Sequence, residues 1–158
     1  YNGDQYDGEW FQDQRNGQGT YTWKAGAVYK GGWKNDKKDG HGVMVWPDKS
    51  KYEGDWVGDM FEGKGTFTYS NGDKYVGDWK AGVQHGKGIY HFSTGERYEG
   101  DYVDGKRTGN GIYVHANGDK YVGELISVAQ DEYDADDQVN YQKPLHNASP
   151  FLFTYILP

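Results

Sequence analysis

A spacing of 23 residues runs through most of this chain and limits the folds open to it. Tyrosine recurs at this interval without insertion or deletion, at Tyr6, Tyr29, Tyr52, Tyr75, Tyr98 and Tyr121. A glycine follows each tyrosine two positions later, and the first five units then add an aromatic residue and a Gly-x-Gly. Because one such unit is too short to bury a face by itself, the units are expected to stack into a quasi-one-dimensional array.

Each unit has the pattern of one β-hairpin. In the unit at residues 75–97, Tyr75, Gly77 and Trp79 alternate with other residues, and a second alternating run begins at Gly88. Residues 80–87 are the expected loop between the two arms, and Thr94-Gly95 is the expected turn into the next unit. No helical pattern precedes residue 124. The sequence therefore predicts an all-β chain, a single-layer antiparallel meander of repeated β-hairpins with a non-repeat C-terminal tail.

The mid-strand glycines predict how the two arms of a hairpin pair. A glycine weakens a strand unless a large neighbouring side chain covers it. The predicted partners are Gly77 with Tyr90, Trp79 with Gly88, and Tyr75 with Phe92. This register would create one aromatic face floored by glycine, with a mixed and wetter face behind it.

The charge is concentrated at one end of the repeats. The net charge is −7, but residues 1–123 carry 18 acidic and 16 basic side chains. The excess lies in residues 124–142, which hold six acidic residues and no Lys or Arg. We divide the chain into a repeat sheet at 1–125, with units starting at 6, 29, 52, 75, 98 and 121, an acidic linker at 126–143 and an apolar tail at 144–158. Without a basic face, nucleic acid is not an expected partner.

Patterns typical of catalysis or of cofactor binding do not occur. The Gly-x-Gly pairs recur once per unit without a following helix, unlike a nucleotide-binding loop. There is no cysteine, and no serine lies in a nucleophile elbow. The five histidines lack a metal-ligand spacing: His41, His85, His91, His115 and His146. We expect no enzyme activity, no cofactor and no metal.

Two apolar features are the candidate binding surfaces. A single-layer sheet has no second layer to cover its aromatic face, and an exposed apolar patch usually marks an interface. The predicted partner-binding face consists of Trp33, Trp56, Trp79, Tyr52, Tyr75, Tyr90, Phe92, Tyr98 and Tyr102. The predicted assembly contact in the tail consists of Phe151, Leu152, Phe153, Tyr155, Ile156 and Leu157. We expect this tail to be buried, on its own sheet or in a neighbouring subunit.

The repeat resembles a known family. Each 23-residue unit consists of Tyr-x-Gly-x-Trp, a spacer, Gly-x-Gly-x-aromatic and a turn before the next Tyr. Over residues 1–125 this pattern is similar to the MORN repeat (membrane occupation and recognition nexus). Two small departures are Lys49, in place of a turn glycine, and Tyr102, in place of Trp.

The resemblance implies a role rather than a reaction. That role is a non-catalytic scaffold and protein-interaction module in a larger assembly, ciliary, axonemal or otherwise cytoskeletal, in the cytoplasm. Protein partners are expected, and a homo-oligomer is open. One alternative is a membrane or phosphoinositide tether, for which the densest basic cluster is Lys34, Lys37 and Lys38. Another is an accessory MORN region of a multidomain enzyme.

Overall fold

A computed structural model describes residues 3–125, which form one open antiparallel sheet whose strands pair in chain order. The all-β, single-layer meander is confirmed. The strands are β1 (Gln5–Phe11), β2 (Gln14–Thr22), β3 (Val28–Lys34), β4 (Lys37–Val45), β5 (Lys51–Val57), β6 (Met60–Thr68), β7 (Lys74–Lys80), β8 (Val83–His91), β9 (Arg97–Val103), β10 (Lys106–Val114) and β11 (Lys120–Leu125). The predicted linker and tail, residues 126–158, lie outside the described residues.

The turn inside each hairpin is much tighter than predicted. In the fourth unit, Ala81 (φ 49°) and Gly82 (φ 86°) alone join β7 to β8, and two residues with positive φ are typical of a type I′ turn. The predicted loop at 80–87 is therefore wrong, and the second arms begin five residues earlier than the Gly-x-Gly suggested. The overlooked signal was the turn dipeptide itself, because Ala81-Gly82 and its equivalent Asn35-Asp36 contain residues that tolerate positive φ.

The turn between units uses a different geometry. Gly95 N donates to Phe92 O at 3.0 Å, and Phe92 N donates to Glu96 O at 2.9 Å. This is a three-residue loop whose last residue is left-handed, with φ of 95° at Gly95. In the second unit Lys49 adopts the same conformation with φ of 72°, so the fold keeps the turn without its glycine.

The predicted register is also wrong. Gly77 pairs with Gly88, Tyr75 with Tyr90 and Trp79 with Gln84. Repeated in every unit, this register aligns eleven glycines in one row across the sheet: Gly8, Gly19, Gly31, Gly42, Gly54, Gly65, Gly77, Gly88, Gly100, Gly111 and Gly123. The side chain that covers this row is the tyrosine of each unit, not the tryptophan.

A bulge interrupts the pairing inside each hairpin. Asp78 on β7 lies opposite extra residues of β8, and Gly86 adopts a φ of 65° there. The Asp78 carboxylate accepts a hydrogen bond from Lys87 N at 3.0 Å, and the Asp78 carbonyl accepts one from Tyr75 Oη at 3.0 Å. The first glycine of each Gly-x-Gly thus serves the bulge, and the second lies beneath the tyrosine ring.

Candidate functional site

The predicted partner-binding residues lie on one face of the sheet, but most of them form the core of the fold. Tyr52 and Tyr75 are fully buried and Trp56 is 3% exposed. Only Tyr90 and Phe92 of the predicted set are partly exposed. The buried members are Trp33, Trp56, Trp79, Tyr52, Tyr75, Tyr98 and Tyr102. No observation tests whether these residues contact a partner, so their role as a binding face stays a prediction. Because the other seven are buried, only the Tyr90 and Phe92 rings could contact a partner directly.

A single layer buries these rings by packing each unit against the next. The Tyr52 ring contacts Trp56 of its own unit and Trp79 of the following unit in edge-to-face geometry, with centroids 5.2 and 5.4 Å apart. The Trp79 indole N–H donates to the carbonyl of Gly65 in the preceding unit at 3.2 Å. The aromatic face is therefore a continuous ladder that joins the hairpins.

One residue per unit covers the ladder from the solvent side. Phe61 stacks on the Tyr52 ring with centroids 3.8 Å apart. At the equivalent position of the second unit, Lys38 Nζ lies 5.1 Å from the centroid of Trp56 and 3.0 Å from Asp59 Oδ1. We name this position the cover position, and it is occupied by Arg15, Lys38, Phe61, Gln84 and Arg107. Sequence reasoning missed it because its residues differ chemically from unit to unit.

The phenols of this face are not suited to acid–base chemistry at neutral pH. Desolvation by burial raises the pKa of Tyr75, and it raises the pKa of Tyr102 to about 12. Both groups thus stay protonated. Tyr75 uses its proton to bond the bulge carbonyl, which is a structural role.

The opposite face carries an open groove of about 900 Å³. Its floor is the backbone of the glycine row between Gly54 and Gly111, where no side chain projects. One wall is mostly apolar towards the C-terminal end, where it is formed by Val76, Ile89, Ile112 and Val122, with Glu99 between Ile89 and Ile112. We name this feature the glycine groove. Val76 and Ile89 lie on the face that the sequence predicts to be mixed and wetter.

The second wall of the glycine groove is a row of ion pairs between neighbouring strands. Lys64 pairs with Asp78 and Lys87 pairs with Asp101. The hydrogen bond from Lys64 lowers the pKa of Asp78, so this carboxylate stays charged at neutral pH. Because each lysine has an aspartate partner, this wall carries little net charge.

The apolar wall is confined to the last strands. Val122 is 78% exposed and Val76 is 36% exposed. Earlier units have Lys30 and Glu53 at the position of Val76. A ligand that needs apolar contacts would therefore bind towards β11.

Residues 3–125 contain no group of three or more His, Cys, Asp or Glu that could hold a metal ion. Nor do the described residues include a helix of the length and apolarity needed to cross a membrane. Among the histidines, His41 Nδ1 lies 3.4 Å from Asp55 Oδ1, and His115 Nδ1 lies 3.0 Å from Glu96 Oε1. These pairs connect neighbouring strands and units.

Comparison with known proteins identifies the repeat. No curated protein matches the chain. Among solved structures, it is similar to the TCP domain of SAS-4 (dCPAP) of Drosophila melanogaster in complex with a proline-rich motif of Ana2 (dSTIL), with 15% sequence identity and a TM-score of 0.45. That similarity covers 68% of this chain and 59% of the other, so the chain spans about three fifths of that structure. The family model of the MORN repeat matches five consecutive units, at residues 6–28, 29–51, 52–74, 75–97 and 98–120. The chain belongs to the MORN repeat family.

Proposed function

We propose that this protein is a non-catalytic scaffold that holds a protein partner in a larger assembly, and that the partner binds in the glycine groove. MORN repeats are non-catalytic repeat modules of interaction with proteins or membranes. The observation that carries the proposal is the exposed apolar wall of the groove beside a floor of glycine backbone. Exposed apolar surface in a concave site is the usual mark of a binding surface.

The chemistry of the groove defines the partner. Val76, Ile112 and Val122 call for apolar side chains, and the floor between the two walls is sheet backbone. Glu99 also lines the groove, and the lysines that line it, Lys64 and Lys87, are paired with aspartates, so the groove offers little attraction to an acidic ligand. The proposed partner is a neutral or basic protein segment with an apolar stripe. We propose a cytoplasmic assembly of a cilium or of the cytoskeleton as its setting, which the family resemblance motivates.

The phosphoinositide alternative has weaker support. Of the three lysines that form the densest basic cluster, Lys38 lies over the Trp56 ring and pairs with Asp59, and its side chain is only 16% exposed. A lysine held in this way is poorly placed to bind a lipid phosphate. We therefore base the proposed function on the glycine groove and not on this basic cluster.

Quantitative affinity purification from native cells tests the proposal with substitutions that the repeats already contain. In the groove variant, Val76→Glu and Ile112→Thr introduce the residue types of Glu53 and Thr66 at equivalent positions. In the control, Val103→Lys copies Lys80 on the same face outside the groove. We expect the groove variant to lose specific partners that the control retains. Equal recovery by both variants would contradict binding in the groove.

A further inference from the structure

The apolar part of the glycine groove lies beside the point where the described chain ends. Its wall runs from Val76 on β7 to Val122 on β11, with Glu99 on β9 as the one charged residue in this row, and β11 ends at Leu125. With about 4.8 Å between neighbouring strands, this part of the groove is about 19 Å long. Any segment that follows residue 125 therefore starts next to the most exposed apolar side chain of the groove.

The sequence after residue 125 contains one segment of matching chemistry and length. Residues 151–157, Phe-Leu-Phe-Thr-Tyr-Ile-Leu, carry no charge. Seven extended residues span about 23 Å, close to the length of the apolar wall. The intervening residues 126–150 can reach up to about 80 Å, which is more than the return path requires.

Charge favours this segment over the acidic linker. Between β7 and β11 the groove is lined by Glu99, and its lysine there, Lys87, is paired with Asp101, while the linker carries five acidic residues between 131 and 137. Like charges at close range disfavour docking of the linker in the groove. Residues 144–158 contain no acidic side chain and meet no such repulsion.

From these observations we infer that residues 151–157 of the same chain occupy the apolar part of the glycine groove, between β7 and β11, and exclude the partner until it displaces them. The part of the inference that concerns exclusion of the partner rests on the proposed function. Docking of residues 151–157 in the groove does not depend on that function and can be measured separately. It adds an intramolecular competitor to the scaffold.

Paramagnetic relaxation in the full chain tests the docking directly. Because the protein contains no cysteine, Ser149→Cys accepts a single nitroxide label just before the apolar segment. We expect strong broadening of the methyl signals of Val76, Ile112 and Val122, and weak broadening of the indole N–H signals of Trp33 and Trp56 on the other face. In the variant with Val76→Glu and Ile112→Thr, broadening of the unchanged Ile89 and Val122 methyl signals should be abolished, and Val103→Lys should preserve it.

Three outcomes overturn the inference. Broadening centred on the aromatic side chains of β10 and β11 would place the tail on the other face. Broadening that appears only between labelled and unlabelled copies in a mixed sample would make the occupant a second copy. No broadening on either face would show that the tail does not dock. None of these results bears on partner recovery by the groove variants, so the proposed function can survive them.

Discussion

At the scale of single residues, the paired glycines explain most of the repeat pattern. A Cβ added at Gly77 would lie 2.6 Å from Gly88 Cα and 2.6 Å from Tyr75 Oη. Only glycine leaves room for the tyrosine ring that covers the row. The cost of glycine in a strand is offset by the burial of one ring in each unit.

A substitution within the glycine row measures this fit. Gly77→Ala should lower the free energy of unfolding by about 1–3 kcal/mol, because the added methyl overpacks backbone and ring. Gly123→Ala is the matched control, since its repeat position is the same but nothing lies within 4 Å of the added Cβ. Urea unfolding of both variants checks the prediction, and equal midpoints would contradict it.

Lys49 provides a second residue-scale test. It adopts the left-handed conformation that glycine has in the other turns between units. Lys49→Gly should raise the free energy of unfolding by about 0.5–1 kcal/mol, because that conformation is strained for lysine and glycine's extra chain entropy offsets only part of the gain. The reverse change, Gly26→Lys at the equivalent turn (φ 93°), should lower it. Denaturant melts of the two variants shifting in the same direction would argue against backbone strain at this turn.

At the scale of the elements, consecutive hairpins are joined by side chains as well as by strand pairing. Each buried tryptophan donates to a glycine carbonyl of the preceding unit, as Trp56 does to Gly42 at 3.2 Å. Arg15 reaches forward to the turn of the next hairpin, with Nε 2.9 Å from Asp36 Oδ1. The hairpin is therefore the repeating element, and its neighbour supplies much of its stability.

The tryptophans allow a comparison of an internal hairpin with an edge hairpin. Trp56→Phe should cost about 1–3 kcal/mol, since it leaves the buried Gly42 carbonyl without its donor. Trp10→Phe should change stability by less than about 0.5 kcal/mol, as Trp10 is 59% exposed. Thermal or chemical unfolding of the two variants provides the measurement. A similar loss in both would mean that the contact between units contributes little.

The contact between Arg15 and Asp36 predicts a pH dependence. Hydrogen bonds from Arg15, first from its backbone N–H and then from its side chain, lower the pKa of Asp36 below its ordinary 3.8. A carboxyl group with a lowered folded-state pKa stabilises the fold above its ordinary pKa, and this contribution is lost as the pH falls through the lowered value. The stability difference between wild type and Asp36→Asn should therefore be largest at neutral pH and shrink in acid.

Asp13 is the control for this experiment. It occupies the same turn position in the first hairpin, and within residues 3–125 no preceding unit reaches it. Asp13→Asn should leave the pH profile of unfolding close to that of wild type. If Asp36→Asn gave the same profile as Asp13→Asn, the ion pair would have no role in acid stability.

At the scale of the whole molecule, the two faces of the sheet have different tasks. The aromatic face is the hydrophobic core, because each ring is covered by its neighbours and by a cover residue. The other face is left with a glycine floor, an ion-pair wall and a short apolar wall. A single-layer repeat protein can thus be stable and still present a long, open surface.

Charge at this scale predicts the response to membranes. With a net charge of −7 and Lys38 held over Trp56, the protein should stay in the supernatant when centrifuged with anionic liposomes at physiological salt. Neutral liposomes provide the reference. Sedimentation with anionic but not neutral vesicles would favour the phosphoinositide alternative.

The sequence alone determined the class of fold, the number of units and the non-helical character of the repeats. Period, glycine and tyrosine are chemical regularities that each unit expresses locally, so they could be recognised without coordinates. The turn at Ala81-Gly82 was also visible locally, and the longer loop was a misreading of the Gly-x-Gly.

The register of the strands and the burial of the aromatic face were decided only in the tertiary structure. A bulge at Asp78 shifts one arm against the other, and it is stabilised by a hydrogen bond from Lys87 N on one strand to the Asp78 carboxylate on the other. Burial of the aromatic face depends on cover residues such as Lys38 and Phe61, whose effect appears only when they meet rings from other strands. The glycine groove likewise lies between two rows of side chains, and these rows align across several strands only when the strands are in register.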